Sequence, residues 1–250
     1  MEVYNISADV PIVDRMVAAG QFAKDIIGPY LTRYDNVSYL SQCNDGNSVK
    51  TLFDIGLNNL AFGFYTSANS YSIAQVLSKK EDTDSTDRIA LNSSSQHGSS
   101  VNHGTRFNVT LRIIARNNKL IAVGLGRAGA ACDSWLVIDN DNYGRNYVMF
   151  SMEKNVYFDN DDSYTQYQLY NANTAITNPM EGIVLESLLY IYSSSTGIVG
   201  LSSGLKSMMN YSLPTKNGSV IDVAGVKYVA MVMKDATAHA NVWVYDKEYQ

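Results

Sequence analysis

Gly124, Gly126 and Gly129 stand in a G-x-G-x-x-G spacing that begins at the end of a mostly apolar run, Lys119–Leu125. In a dinucleotide-binding unit such glycines form a tight turn and let the backbone approach a pyrophosphate where a crossover helix begins. Here the spacing denies the helix. Only Ala130–Ser134 separate Gly129 from Trp135, the start of the next strand-like run. That segment is little more than one turn at about 3.6 residues per turn, whereas a whole crossover takes at least about 10–12 residues. No acidic residue follows at the end of a second strand, about 20 residues on, to hold a ribose. The glycines read as a loop between two antiparallel strands. No cofactor is expected, and a nucleotide-dependent oxidoreductase is the least favoured reading.

The other candidate constellations are incomplete. His97 and His103 flank the tetrapeptide SSVN, but no third or fourth ligand lies near them and His239 is far off in sequence. Asp139, Asp141 and Gly144 follow the start of a calcium loop. Tyr143 and Phe150 then occupy the fifth and twelfth positions, where an oxygen donor and a bidentate Glu belong. Asp159, Asp161 and Asp162 read as a solvated acidic tip. No G-x-S-x-G elbow occurs, and Cys132, behind two alanines, reads as a small packed hydrophobe. No catalytic, metal or cofactor-binding residue is assigned, and the protein is not expected to be an enzyme.

The elements that would position any site are short strands. Phe107, Val109, Leu111 and Ile113 alternate with polar residues, the period of a half-buried strand. Asn117-Asn118 is a turn dipeptide, since Asn tolerates positive φ. Lys119–Leu125 runs back, Trp135–Ile138 is a third strand, Asp139–Gly144 a polar turn and Asn146–Ser151 a fourth strand. Earlier, Val3–Ser7 reads as a leading strand. Asp9 then reads as an N-cap with Pro11 in the first turn. Ile12, Met16, Ala19, Ala23 and Ile26 form a helical stripe with Val13 and Ile27 beside it, and Gly28-Pro29 closes the helix. Tyr30–Ser48 reads as loop, and Val49–Ile55, Asn59–Tyr65 and Tyr71–Leu77 as strands. Asn92–Thr105 reads as a mobile polar loop. In the second half, Asn155–Phe158, Tyr164–Tyr170, Ile183–Tyr192, Val220–Val223, Val226–Met233 and Asn241–Tyr245 read as strands, with a long connection over Gly197–Ser219. The fold class expected is mainly β, antiparallel sheets in a sandwich or barrel-like arrangement with one N-terminal α-helix. Residues 1–250 read as a single domain with a soft subdivision into 1–175 and 176–250.

Composition narrows the function classes. The 250 residues include 18 Tyr against 7 Phe and 2 Trp, a surplus suited to strands with a wet face and to interfaces. A net charge of −5 with no basic patch argues against nucleic acid. No run approaches the roughly 18 apolar residues of a membrane span. The opening MEVYNISADV lacks a basic segment followed by an apolar run, so no secretory signal is expected and synthesis is expected in a cytoplasm. Cys43 and Cys132 form no disulfide framework.

Three segments carry a resemblance. LRIIARNNKLIAVGLGRAGAACDSWLVID (111–139), GIVLESLLYIYSS (182–194) and GSVIDVAGVKYVAMVMKDATAHANVWVYDK (218–247) share an order of hairpins with small virion proteins of tailed bacteriophages. The chain resembles such proteins over about half its length. The resemblance implies a structural subunit of tail, baseplate or neck in the virion, made in the host bacterial cytoplasm. It would act through contacts with other virion proteins in a homo-oligomer. Candidate interface residues are Tyr143 and Tyr147 at the central turn, Tyr164, Tyr167 and Tyr170, and Trp243 and Tyr245 near the end. The alternative is an adhesin binding a host-surface glycan or receptor around Tyr143, Asp159–Asp162 and Trp243.

Overall fold

The computed structural model describes residues 1–9, 15–67, 73–92, 106–127, 134–150, 154–171, 185–209, 217–223, 226–232 and 242–246. Among these residues the chain is mainly β, with paired strands running antiparallel and one N-terminal helical run. It divides into two compact units, Glu2–Ala130 and Ala131–Gln250, with Met1 counted in the second.

In the first unit, β2 (Ser38–Asn44), β3 (Ser48–Asp54), β4 (Leu60–Ser67), β5 (Ala74–Lys79) and β6 (Ala90–Asn92) form a meander in chain order. β7 (Arg106–Arg116) pairs with β1 (Glu2–Asp9) on one side and with β8 (Lys119–Arg127) on the other. The β7–β8 hairpin turns through Asn117 and Asn118 at φ 48° and 58°, the two successive positive values a tight hairpin turn requires. Leu52, Phe53, Phe62, Phe64, Val76 and Leu77 are buried. Buried Gln75 donates from Nε2 to the Val123 carbonyl at 2.9 Å, tying β5 to β8.

The helix departs from its sequence reading in three ways. Asp9 belongs to β1, and residues 10–14, with Pro11, Ile12 and Val13, lie outside the described residues. The helix begins by Arg15 as α1 (Arg15–Phe22), passes through a π turn (Ala23–Ile27) and continues as α2 (Gly28–Leu31). Gly28-Pro29 therefore does not end it. A proline inside a helix removes an N–H and crowds the carbonyl four residues back. The wider π turn lies immediately before Pro29, with the Gly28 N–H reaching the Ala23 carbonyl. The extra residue also shifts the apolar stripe: Ala19, Ala23, Ile27 and Leu31 are buried, while Ile26 is exposed. Gly28 packs closely: a Cβ there would stand 3.3 Å from the Phe53 ring, which would have to give by a few tenths of an ångström.

The loop expected over Tyr30–Ser48 contains α2's last turn and all of β2. β2 reads SYLSQCN, with mostly half-buried polar positions, and so lacks the apolar alternation that marks a strand in sequence. Gly124 and Gly126 sit within β8, opposite Arg112 and Thr110 in the antiparallel ladder. They are strand residues and not part of the loop; Gly129 and Cys132 lie outside the described residues, as do His97, His103 and His239.

In the second unit, one strand run follows the order β9 (Ser134–Asn140), β10 (Asn146–Phe150), β11 (Asn155–Phe158), β12 (Tyr167–Asn171), β14 (Leu189–Ser193) and β15 (Gly197–Leu201). β13 (Leu185–Ser187), β16 (Leu205–Met209), β19 (Val242–Asp246), β18 (Val226–Val232) and β17 (Val220–Val223) form a second sheet in that order. The strand expected over Ile183–Tyr192 is thus two strands in two sheets, with exposed Leu188 alone between them. Its mostly apolar sequence, interrupted only by Glu186-Ser187, concealed the change of sheet, because periodicity does not separate one strand from two. The first run closes on itself where β9 ends. The Asn142 N–H donates to the Leu201 carbonyl at 2.9 Å and the Ser203 N–H to the Asn140 carbonyl at 3.0 Å, around an antiparallel bridge of Asp141 with Ser202.

Candidate contact site

The closure is built by two aspartates two residues apart. Asp139 is buried, and its Oδ2 accepts from the Tyr147 hydroxyl at 2.8 Å, the Ser202 hydroxyl at 2.7 Å and the Gly204 N–H at 3.1 Å. The Leu205 N–H donates to Ser202 Oγ at 3.1 Å. Burial pushes the Asp139 carboxyl above its ordinary range, against the pull of the hydrogen bonds from Ser202 and Tyr147. Asp141, also buried, accepts at Oδ1 from the N–H groups of Tyr143 (3.0 Å) and Arg145 (2.9 Å). Its Oδ2 takes the Arg145 guanidinium at 2.8 Å from Nε and 2.6 Å from Nη2. The same guanidinium donates to the Val199 carbonyl at 2.7 Å and lies over the Phe158 ring. Most of the hydrogen bonds at this closure go to a carboxylate or involve the backbone, and together they hold the turn.

Tyr143 rides on that turn. It is 72% exposed, with the Arg145 guanidinium 5.5 Å from its ring centre. Gly144 follows at φ +79°. The turn that the sequence reading assigned to a hairpin is therefore also a fixed mount for an aromatic ring. Tyr147, named beside it as an interface residue, is fully buried and spends its hydroxyl on the Asp139 network. As a strand residue of β10 facing the core, it serves the fold.

A second feature lies on β12, β14 and β15. Register places Gln168 opposite Tyr192 and Tyr170 opposite Tyr190; across β14–β15, Tyr192 faces Ile198 and Tyr190 faces Leu201. Cross-strand partners share a face. Two rows result, Gln168–Tyr192–Ile198 and Tyr170–Tyr190–Leu201, while Leu169 and Ile191 point to the core. Tyr170 stacks on Tyr190 at 6.0 Å with 15° between the rings and meets Tyr192 edge-on at 5.4 Å. Its hydroxyl donates to Gln168 Oε1 at 2.8 Å. Tyr170 is 40% exposed and Ile198 63%.

Of the remaining named residues, Tyr167 is half-buried against Phe158, with ring centres 5.2 Å apart. Tyr164 precedes β12 in the left-handed region at φ 50°, outside the strand expected to contain it. Trp243 and Tyr245 occupy β19, opposite Ser207 and Leu205; their side chains lie outside the described part of the structure. Asp161 closes a local turn, accepting from the Ser163 and Thr165 N–H groups at 3.0 and 3.1 Å. Among the described residues no three His, Cys, Asp or Glu side chains converge.

Sequence reasoning missed Tyr190, Tyr192 and Ile198. The signal was present in Leu189–Ser193, where Leu and Ile alternate with Tyr. It also missed Lys50, whose fully buried ammonium donates to Ser78 Oγ (3.0 Å) and to the Asp82 (2.9 Å) and Asp87 (2.7 Å) carbonyls. Burial lowers its pKa. All three protons of the ammonium have acceptors, so the lysine acts as a staple for the segment after β5.

Compared with known proteins, the chain matches no family model and no curated protein.

Proposed function

We propose that the protein is a structural subunit of a bacteriophage particle, in the tail, baseplate or neck. In this reading it performs no chemistry and works through contacts with other virion proteins in a homo-oligomer. The observation that carries the reading is Tyr143: a large aromatic ring, 72% exposed, on a turn fixed by the ion pair between buried Asp141 and half-buried Arg145. Interfaces favour such anchors because a tyrosine presents much area at little entropic cost, and a rigid mount lowers that cost further. The hairpin order that resembles phage virion proteins supplies the class of particle.

Light scattering coupled to size-exclusion chromatography tests the reading, together with pull-down on phage particle proteins. A defined oligomer or particle capture is expected, reduced by Tyr143→Ser with an unchanged melting temperature. A monomer at high concentration that captures no particle protein overturns it.

A further inference from the structure

We infer that the outer face of β12–β14–β15 is a binding site for a neutral carbohydrate, separate from the Tyr143 turn. The face is two rows of three across three strands, Gln168–Tyr192–Ile198 and Tyr170–Tyr190–Leu201. Its composition selects the ligand. None of the six side chains is charged, so it offers nothing to hold a phosphate, a sulfated sugar or a basic peptide. The chain as a whole carries a net charge of −5, and against that background a neutral face favours an uncharged ligand.

Three phenol rings and two aliphatic side chains supply flat apolar area, while hydroxyls and one amide supply donors and acceptors at its margin. A pyranose has the complementary make-up: a C–H face that lies on aromatic carbon, ringed by hydroxyls that exchange hydrogen bonds with Tyr and Gln. The tyrosines are already ordered. Tyr170 is held by two ring contacts and by its bond to Gln168, so little side-chain entropy remains to be lost on binding.

Size separates this ligand from a protein partner. A standard protein interface takes roughly 20–30 residues a side and about 800 Å² per partner. Six partly covered side chains fall well short of that, and they match the footprint of a short oligosaccharide.

The test is calorimetric titration of the full chain with maltohexaose, cellohexaose and the hexamer of N-acetylglucosamine, with a heparin hexasaccharide as the anionic comparison. At least one neutral hexamer is expected to bind, with a dissociation constant on the order of 0.1–1 mM, and heparin is expected not to. Tyr170→Ala should weaken binding at least tenfold. Ile198→Ser, at a largely exposed position, should weaken it while leaving the melting temperature and the mass by light scattering unchanged. Absence of binding by all three neutral hexamers overturns the inference. So does equal or tighter binding of heparin, or unchanged affinity in both variants. A change of oligomeric mass in Ile198→Ser also overturns it, by making the face a contact between copies.

Discussion

Gly200 lies so close to Asp141 that a Cβ on the glycine would stand 2.7 Å from the carboxylate Oδ2 and 3.3 Å from Arg145 Nη2. The absence of a side chain at one position of β15 is what lets the buried Asp141 carboxylate and its Arg145 partner reach the strand. Gly200→Ala should therefore push the carboxylate off the guanidinium and cost about 1–3 kcal/mol, the usual range for overpacking. Urea denaturation measures it. An unchanged midpoint would mean that the turn moves aside freely and is no rigid mount.

Asp139 gives the fold a pH dependence of a particular sign. Its pKa is raised in the folded chain by burial, so between the ordinary carboxylate value, ~3.9, and the folded one the native state binds the extra proton. Its contribution to stability is greatest below the ordinary value and is lost as pH rises through the folded value. Asp139→Asn keeps an oxygen acceptor for Tyr147 and Ser202 and removes the charge. Denaturation midpoints from pH 4 to 8 should fall with pH more steeply in the wild type than in Asp139→Asn. Parallel profiles would refute this. Asp139→Ala, by contrast, leaves the Tyr147 hydroxyl its 2.9 Å bond to Ser202 Oγ but takes the acceptor from the Ser202 hydroxyl and the Gly204 N–H, and should cost about 1–3 kcal/mol at any pH.

Lys50→Met keeps the length of the chain and removes the staple. The Asp82 and Asp87 carbonyls and the Ser78 hydroxyl lose their shared donor, while Ser78 keeps its 3.2 Å bond to the Asp87 carbonyl, so the cost should be about 1–3 kcal/mol in all. Hydrogen exchange should quicken most in the segment from Lys80 to Arg88. Quickening spread evenly over the chain would show that the lysine merely fills space.

The turn at Asn117 and Asn118 predicts an asymmetric response. Asn117→Gly should be neutral or slightly stabilising, since glycine adopts φ 48° without penalty. Asn117→Val should cost about 1–2 kcal/mol, because a branched side chain resists the left-handed region. Thermal melts of the two variants give the comparison.

How much was legible follows from what each signal encodes. Short-range patterns carried through: the Asn117-Asn118 hairpin, the alternation of β7 and the polar turn after Asp139 were all readable, because each depends on neighbouring residues alone. The π turn was not, since nothing before Pro29 announces that the helix will widen and continue. Tyr147 reads the same in sequence whether its ring meets solvent or an aspartate; only the fold brings Ser202 to its hydroxyl. The aromatic face required knowing that β12 neighbours β14 and not β13, a long-range fact. Gly200 and Lys50 are legible only in three dimensions, because their roles are defined by atoms about 60 and 30 residues away.

The lone residue between β13 and β14 makes chain length there a structural constant. Leu188 hands the backbone from one sheet to the other with no slack. If one residue were inserted and the pairing frame kept, Tyr190 and Tyr192 would swing inward and Leu189 and Ile191 outward, since a slip of one residue inverts a strand's two sides. A substitution at Leu188 keeps the frame; an indel there would turn the aromatic surface inside out.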